Sequence, residues 1–220
     1  LFEKGRGFRK DKISNFENIN FKNKGFFINS IFNNNNVDLD IKVYKFNNLK
    51  KISINDSNEK QFIKHFESMF SVVYFLPEIE RLFISSPGIR RNFLDRLIFT
   101  YNKDFNLIIN SYKKSIFERQ LLLKKNLYDE NWISKIEEDI SKFGTIIYNK
   151  RIDHIKNINL ILKSLNLVSH FSKLFTFYIK DEFLEEAPNL VNDREIYLRE
   201  LRNNRQKDFY FGGCSFGPHR

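Results

Sequence analysis

The sequence predicts an α+β protein in which a helical block is set between β-rich segments. Three observations carry this. Val37, Leu39, Ile41 and Val43 alternate with Asp38, Asp40 and Lys42, the period of a half-buried antiparallel strand. From Ser86 onward the apolar residues recur at three- and four-residue steps instead. Near the end, DFYFGGCSF at residues 208–216 reads as strand again.

The elements follow in order. KGFFINSIF and VDLDIKVYKF flank four asparagines at residues 33–36, and Asn tolerates the left-handed turn conformation. Asn47 and Asn48 turn the chain into KKISIN, giving a three-stranded meander over about residues 24–55. A short amphipathic helix is expected at 61–70, then a buried strand, SVVYFLP, ended by Pro77. SSPGIRRNFLDR opens the helical block. Ser86 suits an N-cap, Pro87 suits the first helical position, and Ile89, Phe93, Leu94, Leu97 and Ile98 keep helical spacing. Helices are expected at 104–125 and 131–164, joined by NLYDE and therefore antiparallel. Phe105, Ile108, Ile109, Tyr112, Ile116 and Leu123 form one stripe; Trp132, Ile136, Ile140, Phe143, Ile147, Ile158 and Leu162 form the other. A weaker helix at 168–183, a break at Pro188 and a charged helix at 193–206 complete the block.

The chain has 220 residues, 41% of them hydrophobic, which suits one large domain or two small ones rather than disorder. No uncharged apolar run approaches the ~20 residues of a membrane span, and nothing reads as a signal peptide. The single cysteine, Cys214, forms no internal disulfide, so a reducing, cytoplasmic setting without membrane contact is expected. The net charge of +10 points to a polyanion such as nucleic acid. Lysine, like Asn, Ile and Phe, is spelled by A- and T-rich codons, so the charge reads either as base composition or as selection for a polyanion, and clustered arginines say more. Residue 1 is Leu and the last residues are strand-like; both ends are expected to be cuts from a longer protein.

Several enzyme classes lack their signatures. There is no G-x-x-x-x-G-K-S/T phosphate loop, no G-x-G-x-x-G, no nucleophile elbow and no His–Cys cluster. No catalytic residue and no metal ligand is therefore named. GRGFRKDK places Arg6, Arg9, Lys10 and Lys12 within eight residues, either a phosphate-holding loop or a solvated basic one. Glu78 in FLPEIE stands at the β-to-helical junction, either meeting a metal-bound water or nucleotide or acting as a turn residue. Arg90 and Arg91 sit in or just after the first turn of a helix, where each cation costs roughly 0.3–1 kcal/mol. Arg91 could pair with Asp95 at i, i+4; Arg90 then calls for an external anion. His219 and Arg220, after the Gly217-Pro218 turn, read as an exposed basic tip.

Taken in order, these pieces resemble the RecF family of bacterial DNA replication and repair proteins. The likeness rests on GRGFR, on VVYFLPE, on SSPGIRRNFLD, on ERQLLLK, on WISKIEEDISKFGTIIYNKR with Trp132 and Arg151, and on GPHR. It runs from end to end. Ser85-Ser86, where the family often has Gly, Gly88, and Gln120, where Asn is usual, depart from the pattern. The resemblance implies part of an ABC-type, Rad50/SMC-head-like ATPase lobe with antiparallel strands. It also implies an inserted all-helical lobe with two long antiparallel helices. Residues 1–84 would belong to ATPase lobe I, 85–206 to helical lobe II, and 207–220 to a strand returning to lobe I. The Walker A loop would precede Leu1, and the signature motif and Walker B region would follow Arg220.

The resemblance further implies ATP and Mg2+ in the full-length protein, with neither held tightly by this stretch. It implies slow ATP hydrolysis, an ATP-dependent homodimer and binding to double-stranded DNA and single-/double-strand junctions, including single-stranded DNA. Cooperation with RecR and RecO in loading the RecA recombinase during recombination, replication and the SOS response also follows. Arg6, Arg9 and Glu78 match positions at the ATP site or between lobes. Lys10, Lys12, Arg90, Arg91, His219 and Arg220 are expected to contact DNA or phosphate. Two other readings stay open: the head of another SMC/Rad50-like ATPase, or a non-enzymatic helical interaction module.

Overall fold

The structure, a computed structural model, describes residues 12–17, 20, 24–34, 37–47, 49–69, 77–125, 129–164, 176–180 and 193–219. The chain divides into two compact units, Leu1–Tyr74 and Phe75–Arg220.

The first unit is the meander that the alternation predicts. Strands β1 (Phe27–Asn34), β2 (Val37–Phe46) and β3 (Leu49–Ile54) form one antiparallel sheet with β2 in the centre. Phe32 lies opposite Leu39, Ile28 opposite Val43, and Ile41 and Val43 face Ile54 and Ile52. The period of two puts all of these on one face. Ile41 and Val43 are wholly buried there, and helix α1 (Lys60–Met69) adds Phe66 and Ile63. Asn47 turns β2 into β3 with a left-handed φ of 48°. A part-buried Lys45–Glu17 ion pair ties the meander to the segment before it. The strand expected at residues 71–77 lies outside the described residues apart from Pro77.

The second unit opens on a 3-10 helix, Pro77–Ile84, followed by α2 (Pro87–Tyr101), α3 (Phe105–Lys125) and α4 (Glu130–Ser164). Pro87 takes the first position of α2, and Ser86 stands at the cap without a side-chain bond. Asp129 caps α4 by accepting from the Asn131 and Trp132 amides. α3 and α4 run antiparallel: Arg119 meets Glu137 near the connector, while Ile109 and Tyr112 share a cleft with Ile147 and Arg151 further along. Their stripes interlock around Ile98, Phe105, Ile133, Ile140 and Ile147. Burying each such side chain contributes roughly 1.5–3 kcal/mol. Trp132, expected in this stripe, is 59% exposed.

The end of the chain departs from expectation. α5 (Arg194–Asn203) is capped by Asp193, and a second helix, α6 (Arg205–Phe211), follows at once. The strand read at 207–220 is therefore absent among the described residues, which hold α6 and then a run of turns. The physical reason is Asp208: buried in α6, it accepts from Arg119 at 2.6 Å and from the Ser215 amide at 2.6 Å. Cys214 and Phe216 then enter the core of the helical unit. Of the weaker helix expected at 168–183, residues 176–180 have no regular structure, and the rest, with Pro188, lies outside the described residues.

Candidate functional site

The two arginines at the start of α2 are answered by backbone carbonyls. Arg90 Nη1 donates to Phe83 O at 3.1 Å and Ser85 O at 2.9 Å. These carbonyls close the C-terminal end of the 3-10 helix, where unpaired oxygens carry partial negative charge. Arg91 turns the other way, and its Nη2 donates to His219 O at 2.8 Å. The expected Arg91–Asp95 pair does not form. Asp95 instead takes a two-pronged bond from Arg151, Nε at 2.7 Å and Nη2 at 2.8 Å. The planar fork of Arg151 matches a carboxylate edge-on, which an i, i+4 surface pair cannot do as well. Arg151 Nη1 also donates to Pro218 O at 2.6 Å.

His219 is not an exposed tip. Its ring is half-buried, with Nε2 3.2 Å from Cys214 O and Nδ1 2.8 Å from Tyr112 Oη. A carbonyl only accepts, so Nε2 carries the proton, and in the neutral ring Nδ1 accepts from Tyr112. Tyr197 lies 3.3 Å beyond, and its hydroxyl can then donate to Tyr112. Burial pushes the Tyr112 phenol well above its ordinary value of 10.0, so it stays a neutral donor.

A second network sits deeper. Arg119 donates to Glu137 at 2.9 Å, Asp208 at 2.6 Å and Leu201 O at 2.7 Å. Arg205 clasps Glu137 from the other side and reaches Glu130. Burial works against the Arg119 charge, but the acids around it outweigh burial and its pKa is raised. Arg205 is raised chiefly by its bond to Glu137. The sequence does carry one signal for this network: Ser115, Arg119 and Leu122 share the buried face of α3, and a cation at a core position demands a partner.

The structure thus brings two of the sequence candidates together, Arg91 and His219. Arg90 points to a different neighbourhood, the end of the 3-10 helix. Lys12 is exposed and belongs to the first unit. Glu78 lies in the 3-10 helix, its side chain outside the description, and Arg6, Arg9, Lys10 and Arg220 lie outside the described residues. Among the described residues there is no cluster of three or more His, Cys, Asp or Glu, and no helix long and apolar enough to cross a membrane.

No family model matches the chain. Curated relatives do. The DNA replication and repair protein RecF of Clostridium beijerinckii is 28% identical over 223 residues, covering 100% of this chain and 58% of the relative. RecF of Clostridium botulinum strain 657 is 31% identical over 192 residues, 83% of this chain and 49% of the relative. Among solved structures, the recombination mediator protein RecF with ATPrS in the RecFOR pathway matches with a TM-score of 0.72 and 21% identity. It covers 100% of this chain and 60% of that one. A RecF–ATP structure gives a TM-score of 0.64 over 94% of this chain. The fold is α+β, that of the RecF ATPase domain. The curated homologues along the whole chain and the structural match support a RecF-family fragment. The chain spans about half to three-fifths of the length of the relatives it matches.

Proposed function

We propose that this chain is part of a RecF-like, ATP-dependent DNA-binding protein of recombinational repair and replication-fork maintenance. Such a protein binds duplex DNA near single-strand gaps and helps RecO and RecR load the RecA recombinase. The observation that carries this is the match to RecF proteins along the whole chain, in sequence and in fold. Residues 1–84 belong to the ATPase lobe and residues 85–206 to the helical lobe. In the whole protein ATP and Mg2+ are bound between two copies, and slow hydrolysis times their release. Arg6, Arg9 and Glu78 serve the ATP site or the junction between lobes. Lys10, Lys12, Arg90, Arg91 and Arg220 serve phosphate or DNA, and His219 serves it through the carbonyl that holds Arg91. Arg91 is the best placed of the described ones, because its guanidinium lines an open cleft. The setting is cytoplasmic, with a role in the SOS response.

The test uses a protein that contains this chain together with the rest of a RecF sequence. Its binding to duplex DNA should require ATP. Affinity should fall with salt by about 0.9 log units per phosphate contact for each log unit of salt. Equal binding with and without ATP would falsify the mechanism.

A further inference from the structure

We propose that the cleft between α2, α3, α4 and the turn at residues 217–219 is a phosphate-binding site, with Lys113 and Asn92 as its outer ligands beside Arg91. The inference rests on the DNA-binding reading above for its expected phosphate source, the nucleic-acid backbone. Neither Lys113 nor Asn92 is picked out by any sequence pattern.

The cleft holds about 110 Å³. Among the described residues, its walls carry three cations, Arg91, Lys113 and Arg151, against one carboxylate, Asp95. Both Asp95 oxygens are already taken by Arg151. An entering group therefore meets a closed Asp95–Arg151 ion pair and, in the same cleft, Arg91 and Lys113. The bond from Arg91 to His219 O fixes that guanidinium at the wall. Lys113 and Asn92 are exposed at the rim, and neither side chain has a hydrogen bond or ion pair among the described residues.

The floor is apolar, made by Ile109, Ile147 and Pro218. Such a floor keeps the local dielectric below that of water, which strengthens the pull of nearby cations on an anion. The donors are of three kinds: a planar guanidinium, a point-charge ammonium and a neutral amide. They come from two helices, α2 and α3, and line one cleft. A phosphate offers oxygens in several directions and can meet all three; a single carboxylate presents one plane. The His219 ring shapes the site but supplies no donor to it, since both its nitrogens are engaged.

Two phosphate sources share this chemistry, a duplex backbone and a nucleotide, and the test separates them. Lys113→Ala, Asn92→Ala and the control Lys114→Ala are made in a protein that contains this chain together with the rest of a RecF sequence, and duplex binding is read with ATP present. Lys114 is the exposed neighbour that pairs with Glu118 at 3.7 Å and loses the same charge outside the cleft. Each variant is titrated with a short DNA duplex at several NaCl concentrations, and with MgATP. Lys113→Ala is expected to weaken duplex binding about fivefold. It should also lower the slope of log affinity against log salt by about 0.9. Asn92→Ala should weaken binding while leaving that slope unchanged, because it removes no charge. The same losses seen with MgATP instead would keep the site and assign it to a nucleotide. If the wild-type protein binds MgATP through Lys113 but no duplex, the DNA-binding reading fails and the cleft stands. The site is overturned if both variants behave like Lys114→Ala toward both probes, or if the wild-type protein binds neither.

Discussion

The hydroxyl of Tyr197 is enclosed by two glycines from distant parts of the chain. A Cβ on Gly144 of α4 would lie 2.5 Å from it. A Cβ on Gly217 would lie 2.6 Å from it and nearer still to Tyr112 Oη, at a φ of 122° that L side chains rarely adopt. Both glycines therefore let the Tyr197–Tyr112–His219 chain of hydrogen bonds close against backbone. Gly144→Ala should destabilise by about 1–3 kcal/mol through overpacking. Gly217→Ala should do more, because backbone strain adds to the clash. Urea melts followed by circular dichroism read this directly; equal stability of wild type and Gly217→Ala would mean that the turn repacks freely. At the same scale, what was legible in sequence was residue type rather than partner. Arg91 and His219 stood out as unusual cations. Their pairing, and the diversion of Asp95 to Arg151, depended on helix packing across 56 and 128 positions of chain.

Among the elements, α3 and α4 were legible because their apolar stripes run for many turns, so small errors of spacing do not change the period. The last helix was not. Phe209, Tyr210 and Phe211 favour a strand by propensity, and Tyr210 and Phe211 are 80% and 75% exposed in the helix they form. Asp208 decides the matter through Arg119, an ion pair between residues 89 apart that no local pattern shows. The packing of α2 on α4 carries another consequence. His154 of α4 stacks on Tyr101 of α2, ring centroids 5.5 Å apart, and its Nε2 is buried without a hydrogen-bond partner among the described residues. Burial lowers the His154 pKa below its ordinary 6.5. The unfolded chain therefore takes up this proton first as pH falls, and stability declines below about pH 6.5 until the folded-state group protonates too. His154→Phe keeps a ring against Tyr101 and removes the titration. Its stability should fall less steeply than that of wild type between about pH 7 and 5. Parallel pH profiles for the two proteins would show that His154 is not desolvated.

For the whole molecule, the division between units falls at Tyr74/Phe75, within the stretch that sequence reads as one strand running into the helical block. Apolar periodicity marks where elements lie but not which core they join. The two cores are separate: one gathers Ile41, Val43, Ile54 and Phe66, the other runs from Ile98 to Phe216. The helical core also encloses both arginine networks, so every hydrogen bond of Arg91, Arg119 and Arg151 described above ends on a residue between 91 and 219. A unit that closes its own core and pairs its own buried charges has what independent folding needs. Residues 75–220 produced alone should give a helical circular dichroism spectrum and one cooperative thermal transition. Residues 1–74, whose described part is a three-stranded meander with one α-helix and a short 3-10 turn, should be marginal by themselves, since so small a sheet buries little apolar surface. Loss of cooperativity in the 75–220 segment, with the intact chain still melting sharply, would show that the helical unit draws its stability from the first unit. It would then be wrong to treat the phosphate cleft as a property of the helical unit alone.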